Sequence, residues 1–191
     1  MERLVKKLGK ADMKSMLRVQ SAALYAIHRH MWERGISQAM PVMLSTITDP
    51  LNHSVYDASI LYGGQQLALT KSMILHKQVL VSGGLPGVYI VSPNVRLEKE
   101  AMRDSGRHLF EFSQVDIELA DASSGDFMEF TEGLYREVFS FVEKQCGAEL
   151  EALGRTLPSL KKRFMAYDSA DLREEFGLDY ERELSEQSGE P

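Results

Sequence analysis

Two stretches of this sequence alternate residue types with a period of two, and their polar members are of kinds that do chemistry. Ser92, Asn94, Arg96 and Glu98 share one parity, while Tyr89, Val91, Val95 and Leu97 share the other. Downstream, Phe112, Gln114, Asp116 and Glu118 alternate with Val115, Ile117 and Leu119. Strand side chains point to opposite faces in turn, so each stretch predicts a strand with one polar and one apolar face. Residues 87–98 and 108–120, joined by the charged loop 99–107, predict a long-looped antiparallel hairpin. Its apolar faces are expected to pack on a helix. Its polar faces form a platform with Arg103, Arg107 and His108 at the looped end. An ordinary solvated sheet face with cross-strand charge pairs is the plain alternative. Sequence order favours more: Phe112, Arg96 and Glu98 supply a stacking surface, a fork for phosphate and an acceptor for an exocyclic amine, the three contacts a nucleotide needs. No Walker loop or glycine-rich dinucleotide fingerprint competes with them.

The elements around this hairpin follow from periodicity. Met13, Leu17, Leu24, Ile27 and Met31 recur at helical spacing, and Gly35 stands where a left-handed C-terminal cap belongs, so 13–34 predicts one long amphipathic helix. Residues 36–44 predict a strand that carries Pro41 and therefore lies at an edge or bulge. The stretch 47–62 has no clean period and ends in Gly63-Gly64, which reads as an irregular connection. A short strand at 67–70 leads into a helix through Ile74, Leu75, Gln78 and Leu80, with Thr70 or Ser72 as its cap. Phe130, Leu134, Val138, Phe141, Val142, Leu150 and Leu153 mark a second long helix over 126–153, followed by a short helix at 169–176 and an acidic tail. The polar ends, 1–12 and 181–191, are expected to fray.

Composition bounds the possibilities. With 191 residues, 43% of them hydrophobic, the chain can bury one sizeable core, and a single domain is expected. A net charge of −6 argues against holding nucleic acid by phosphate neutralisation alone. The single cysteine, Cys146, excludes an internal disulfide and a Cys-x-x-Cys site, suits a reducing cytosol, and reads as helix packing. Neither a secretory signal nor an apolar run long enough for a bilayer is present, so a cytoplasmic protein without membrane partners is expected. His28 and His30 are two apart on a helix and point to different faces, unlike an i, i+4 metal pair.

The run Val95-Arg96-Leu97-Glu98, a charged loop, then Arg107-His108-Leu109-Phe110-Glu111-Phe112-Ser113-Gln114-Val115-Asp116-Ile117-Glu118-Leu119-Ala120 resembles motif 2 of the aspartyl and asparaginyl class II aminoacyl-tRNA synthetases. That motif reads Phe-Arg-Ala-Glu, loop, Arg-His-Leu-x-Glu-Phe-Thr-x-x-Asp-Ile-Glu-Met-Ala. The segment Gly35-Ile36-Ser37-Gln38-Ala39-Met40-Pro41 is similar to motif 1, which forms that family's dimer interface. Residues 62–78 resemble the stretch that shapes its amino-acid pocket, with Gly64, Leu69, Thr70, Ser72, Leu75, Lys77 and Gln78 matching and Lys71, Met73 and Ile74 departing. Those departures keep both aspartate and another amino acid open as substrate.

The resemblance implies an α+β fold, an antiparallel sheet flanked by helices, over a partial catalytic domain spanning 1–191. Motif 1 falls at about 13–44 and motif 2 at about 88–120. Motif 3 is absent, and the core is expected to be incomplete at its C-terminus. It further implies that Arg96 binds the α-phosphate of ATP as the catalytic arginine and Glu98 the adenine amine. Arg107 and His108 would meet the outer phosphates, and Phe112 would stack on adenine. In the amino-acid pocket, Ser72 lies where contacts to the substrate amino group gather, Lys77 would meet a side-chain carboxylate and Asp116 an α-amino group. Mg²⁺ is implied, with ligands outside these residues, and so is a homodimer. The implied reaction activates aspartate as an acyl-adenylate. Because the segment carries no anticodon-binding barrel, the layout resembles archaeal relatives that make free asparagine from aspartate, ATP and ammonia. Transfer to tRNA stands second, and a non-catalytic ATP-binding paralogue third.

Overall fold

A computed structural model describes residues 11–103, 108–160 and 163–188. The chain divides into two compact units, one formed by Met1–His30 with Met128–Pro191 and the other by Met31–Phe127. Helix α1 (Ala11–Glu33) begins in the first and ends in the second, close to the predicted range. Its end is closed as expected: Gly35 has φ +69, and the amides of Gly35 and Ile36 return to the carbonyls of Trp32 and Met31.

The central unit holds the strands. In chain order they are β1 (Ser37–Gln38), β2 (Leu44–Ser45), β3 (Val55–Tyr56), β4 (Ser59–Tyr62) and β5 (Gln65–Leu69). Helix α2 (Ile74–Ser82) comes next, then β6 (Gly87–Val95), β7 (Leu97–Glu98), the short helix α3 (Glu100–Arg103) and β8 (Glu111–Leu119). The predicted hairpin is present: β6 and β8 pair antiparallel along nine residues, from Gly87 opposite Leu119 to Val95 opposite Glu111. Its first strand is shorter than expected. The ladder stops at Val95, and β7 turns away to pair with β3. The single strand expected over 36–44 resolves into β1, parallel to β6, and β2, antiparallel to β5.

The stretch 47–62, expected to be irregular, contains β3 and β4. Strand β4 pairs with β5 from Ser59 opposite Ala68 to Tyr62 opposite Gln65. Gly63 and Gly64, at φ +57 and +76, form the two-residue turn between them. Two successive positive φ values match the right-handed twist of a hairpin, and glycine adopts them without strain. The pair therefore builds a hairpin and does not mark an irregular stretch.

Helix α2 is not capped as expected. Met73 precedes it with no side-chain capping bond, although the Ser72 hydroxyl accepts from the Ile74 amide at 3.3 Å. The Thr70 hydroxyl instead donates to the Val42 carbonyl.

In the terminal unit, the predicted helix over 126–153 is two helices, α4 (Ser124–Gln145) and α5 (Gly147–Ala152), separated at Cys146, whose φ of −129 leaves the helical region. The start of α4 is a capping box: the Ser123 hydroxyl accepts from the Asp126 amide, and the Asp126 carboxylate accepts from the Ser123 amide and hydroxyl, which pulls its pKa down. Cys146 does pack as expected, in a core with Ala22, Val142 and Leu150, and burial pushes its thiol pKa up. The buried residues of α1 are Ala22, Ala26, His30 and Met31; Met31 is buried as the expected stripe requires, whereas Leu17 from that stripe is exposed. His30 is fully buried. Its Nδ1 lies 2.7 Å from Glu137, which Arg29 also binds at 2.7 Å. Helix α6 (Ser169–Phe176) covers the predicted range, capped by Asp168. Of the two ends expected to fray, residues 1–10 and 189–191 lie outside the described residues, and the described part of the C-terminal one is a helix, α7 (Tyr180–Ser188).

Candidate functional site

The polar face of the hairpin is where the chemistry-bearing residues converge, but its middle is closed. Asn94 lies opposite Phe112 and Ser92 opposite Gln114, as the alternation requires. Ser92 and Asn94 are fully buried, joined by a 3.0 Å bond from the Ser92 hydroxyl to the Asn94 amide oxygen, and Asn94 donates to Gln114 at 3.0 Å. Helix α2 packs over this face. The expectation that the apolar faces would carry the helix is corrected in this respect: Lys77 and Met73 close over Asp116 because a buried carboxylate needs donors.

Beneath α2, the Lys77 ammonium donates to the Ile117 carbonyl at 3.0 Å and stands 3.5 Å from Asp116 and 3.6 Å from Glu118. Lys77 and Asp116 are both buried. One ammonium between two carboxylates leaves an excess negative charge, suited to a ligand ammonium. The Lys77 contacts to both carboxylates are longer than the 2.7–2.9 Å of a tight charge-assisted bond. Ser72 lies at the N-terminal approach to the same helix and donates to Asp49 at 2.9 Å.

At the other end of the face, the Arg96 guanidinium sits 5.1 Å above the Phe112 ring, and its Nε donates to the Lys71 carbonyl at 3.1 Å. The main chain ties this corner to the pocket, since the Val95 amide donates to the Thr70 carbonyl. Glu98 lies beyond the end of the ladder, on β7. Its carboxylate meets His53, whose Nε2 is 3.1 Å from each oxygen, and the His53 ring meets the ring of His108 edge-on at 6.4 Å. Arg107 lies outside the described residues, as does the side chain of Arg103.

Sequence reasoning missed the strap from Thr48 to His53. Thr48 accepts from the Lys71 amide, Asp49 accepts from Ser72 and from the Leu51 amide, and His53 reaches Glu98. The signal was the Asp49-Pro50 and Asn52-His53 pairs within a stretch that lacks periodicity. Mg²⁺ finds no ligand set here: among the described residues, no group of three or more His, Cys, Asp or Glu side chains could hold a metal.

With this geometry in place, residues 1–187 match the family model of class II tRNA synthetases for D, K and N. The chain belongs to this family. It is 30% identical over 179 residues to the aspartate–tRNA(Asp/Asn) ligase of Methanopyrus kandleri, covering 91% of this chain and 40% of that protein. The corresponding ligase of Methanosarcina barkeri is 31% identical, with 83% of this chain and 34% of that protein covered. The chain thus spans well under half the length of these curated relatives. In fold it is similar to the asparaginyl-tRNA synthetase of Pyrococcus horikoshii complexed with asparaginyl-adenylate, at TM-score 0.77 and 21% identity over 94% of this chain and 44% of that one. The asparaginyl-tRNA synthetase of Entamoeba histolytica in complex with asparaginyl-adenylate gives 0.80 and 16%, over 99% of this chain and 45% of that one. The α+β fold expected from the sequence, with antiparallel sheets and helices, is that of the class II synthetase core.

Proposed function

We propose that the protein activates aspartate with ATP as an acyl-adenylate and passes the aspartyl group to tRNA. The observation that carries this reading is the buried Lys77 ammonium between Asp116 and Glu118, on the same sheet face as the Arg96–Phe112 pair. An amino acid with a carboxylate side chain fits such a pocket, with its side-chain carboxylate on Lys77 and its α-ammonium on Asp116 and near Ser72. ATP then lies with adenine against Phe112, its amine on Glu98, its α-phosphate on Arg96 and its outer phosphates at His108 and Arg107.

The α-carboxylate oxygen attacks the α-phosphorus, a new O–P bond forms, the bond to the bridging oxygen breaks, and pyrophosphate leaves. A ribose hydroxyl of tRNA then attacks the carbonyl carbon and AMP departs. No protein nucleophile is needed. Arg96 neutralises charge that grows on the phosphate, and the pocket holds the carboxylate in line. Mg²⁺ would add charge neutralisation on the phosphates, with ligands from outside the described residues.

The relatives named above, all tRNA ligases, support tRNA as the acceptor and give no support to free asparagine synthesis, which the sequence had placed first. A catalytic core over 1–191, a homodimer and a cytoplasmic location belong to the same proposal. Among the described residues, no helix is long and apolar enough to cross a membrane. The test is aspartate-dependent exchange of pyrophosphate into ATP, followed by product analysis with tRNA alone and with ammonium alone. Aspartylated tRNA is expected. Free asparagine from ammonium would overturn the choice of acceptor, and no exchange with any amino acid would overturn activation itself.

A further inference from the structure

We propose that His53 is the positioning residue for Glu98, holding its carboxylate in the orientation that selects adenine over other purines; this rests on the ATP reading above. The Glu98 side chain is only 9% exposed, and its backbone is pinned by pairing with Val55 and by its own amide bond to the Arg96 carbonyl. A carboxylate so enclosed needs a donor. His53 Nε2 stands 3.1 Å from both oxygens, on the bisector of the group. The last torsion of a glutamate is otherwise broad, and a donor shared by both oxygens fixes it. An ionised carboxylate only accepts, so Nε2 carries the proton.

The His53 ring is itself held in place. The His108 ring lies against it in a T-shaped arrangement with centroids 6.4 Å apart, and Asp49 anchors the strap through Ser72 and the Leu51 amide. A carboxylate offers about four lone-pair sites, so one N–H from His53 leaves room for the exocyclic amine of adenine. Inosine and guanosine nucleotides carry an oxygen at that ring position, which sets acceptor against acceptor. How strongly they are rejected then depends on where the carboxylate points.

Calorimetric titration of ATP and of inosine triphosphate into wild type, His53→Ala and His53→Gln tests this. Wild type is expected to prefer ATP. His53→Ala should lose about tenfold of the ATP-to-ITP affinity ratio, the scale of one charge-assisted hydrogen bond. His53→Gln, whose carboxamide N–H reaches the same carboxylate, should recover most of it. If His53→Ala keeps the wild-type ratio, even with both affinities lowered, the positioning role is overturned while the ATP reading stands. If wild type binds neither nucleotide, the ATP reading fails, and this inference falls with it.

Discussion

Arg96 is fixed at two points of its side chain, by the Lys71 carbonyl at Nε and by the Phe112 ring under its guanidinium. In the proposed ATP complex such a fork is aimed before the ligand arrives, with its terminal amino groups as the donors for phosphate. Arg96→Ala and Phe112→Ala should each weaken ATP binding by about 1.5–3 kcal/mol by calorimetry. Because the two side chains touch, the double variant should lose less than the sum of the single losses. Strict additivity would mean that they act on separate ligand groups. Strand alternation placed Arg96, Glu98, Phe112 and Asp116 on one face from the sequence alone, whereas Lys77, on helix α2, came only from the resemblance of residues 62–78 to the family's amino-acid pocket. Asp49 and His53 were legible from neither. They meet Ser72 and Glu98 across 23 and 45 residues of chain, and no local period encodes a contact of that span.

At the scale of elements, legibility followed the strength of local patterns. The β6–β8 hairpin and helix α1 have long, clean periods and form where expected. Strands β1 to β4 have two to four residues each, too short for alternation to register, and only the Gly63-Gly64 turn betrays one of them. Ala at Gly64 would force a side chain into the left-handed region, at a cost of roughly 1–2 kcal/mol. The urea midpoint should fall accordingly, and an unchanged midpoint would argue against the turn. Helices α1 and α4 are tied by Glu137. Burial alone would raise its pKa, but the hydrogen bonds and charge of His30 and Arg29 outweigh burial and bring it below the ordinary glutamate value of about 4.5. A carboxylate with a depressed folded pKa stabilises above its unfolded pKa and loses that stabilisation as pH falls through the folded one. Thermal melts should therefore drop in midpoint below about pH 4.5. Glu137→Gln should be less stable at neutral pH and show a shallower acid decline. Equal slopes in the two proteins would remove this ion pair from the account.

For the whole molecule, the exposed apolar side chains between the end of α1 and β2 stand out. Trp32 is 83% and Met40 80% exposed, with Val42 and Met43 nearby. Such a patch favours association with a second copy. Sedimentation velocity should report a dimer that Met40→Asp weakens, whereas a monomer at every concentration would count against the patch. The division of the chain carries a different consequence, one of timing. The central unit is continuous, Met31–Phe127, while the other is assembled from both ends of the chain, so the helical residues before Met31 pack against a core that includes Val142 and Leu150. On the ribosome, where the chain emerges from its N-terminus, the strand-bearing unit has all its residues before that core is complete. A helix made before the central unit is thus among the last to find its partners, and its apolar stripe must stay soluble through the interval.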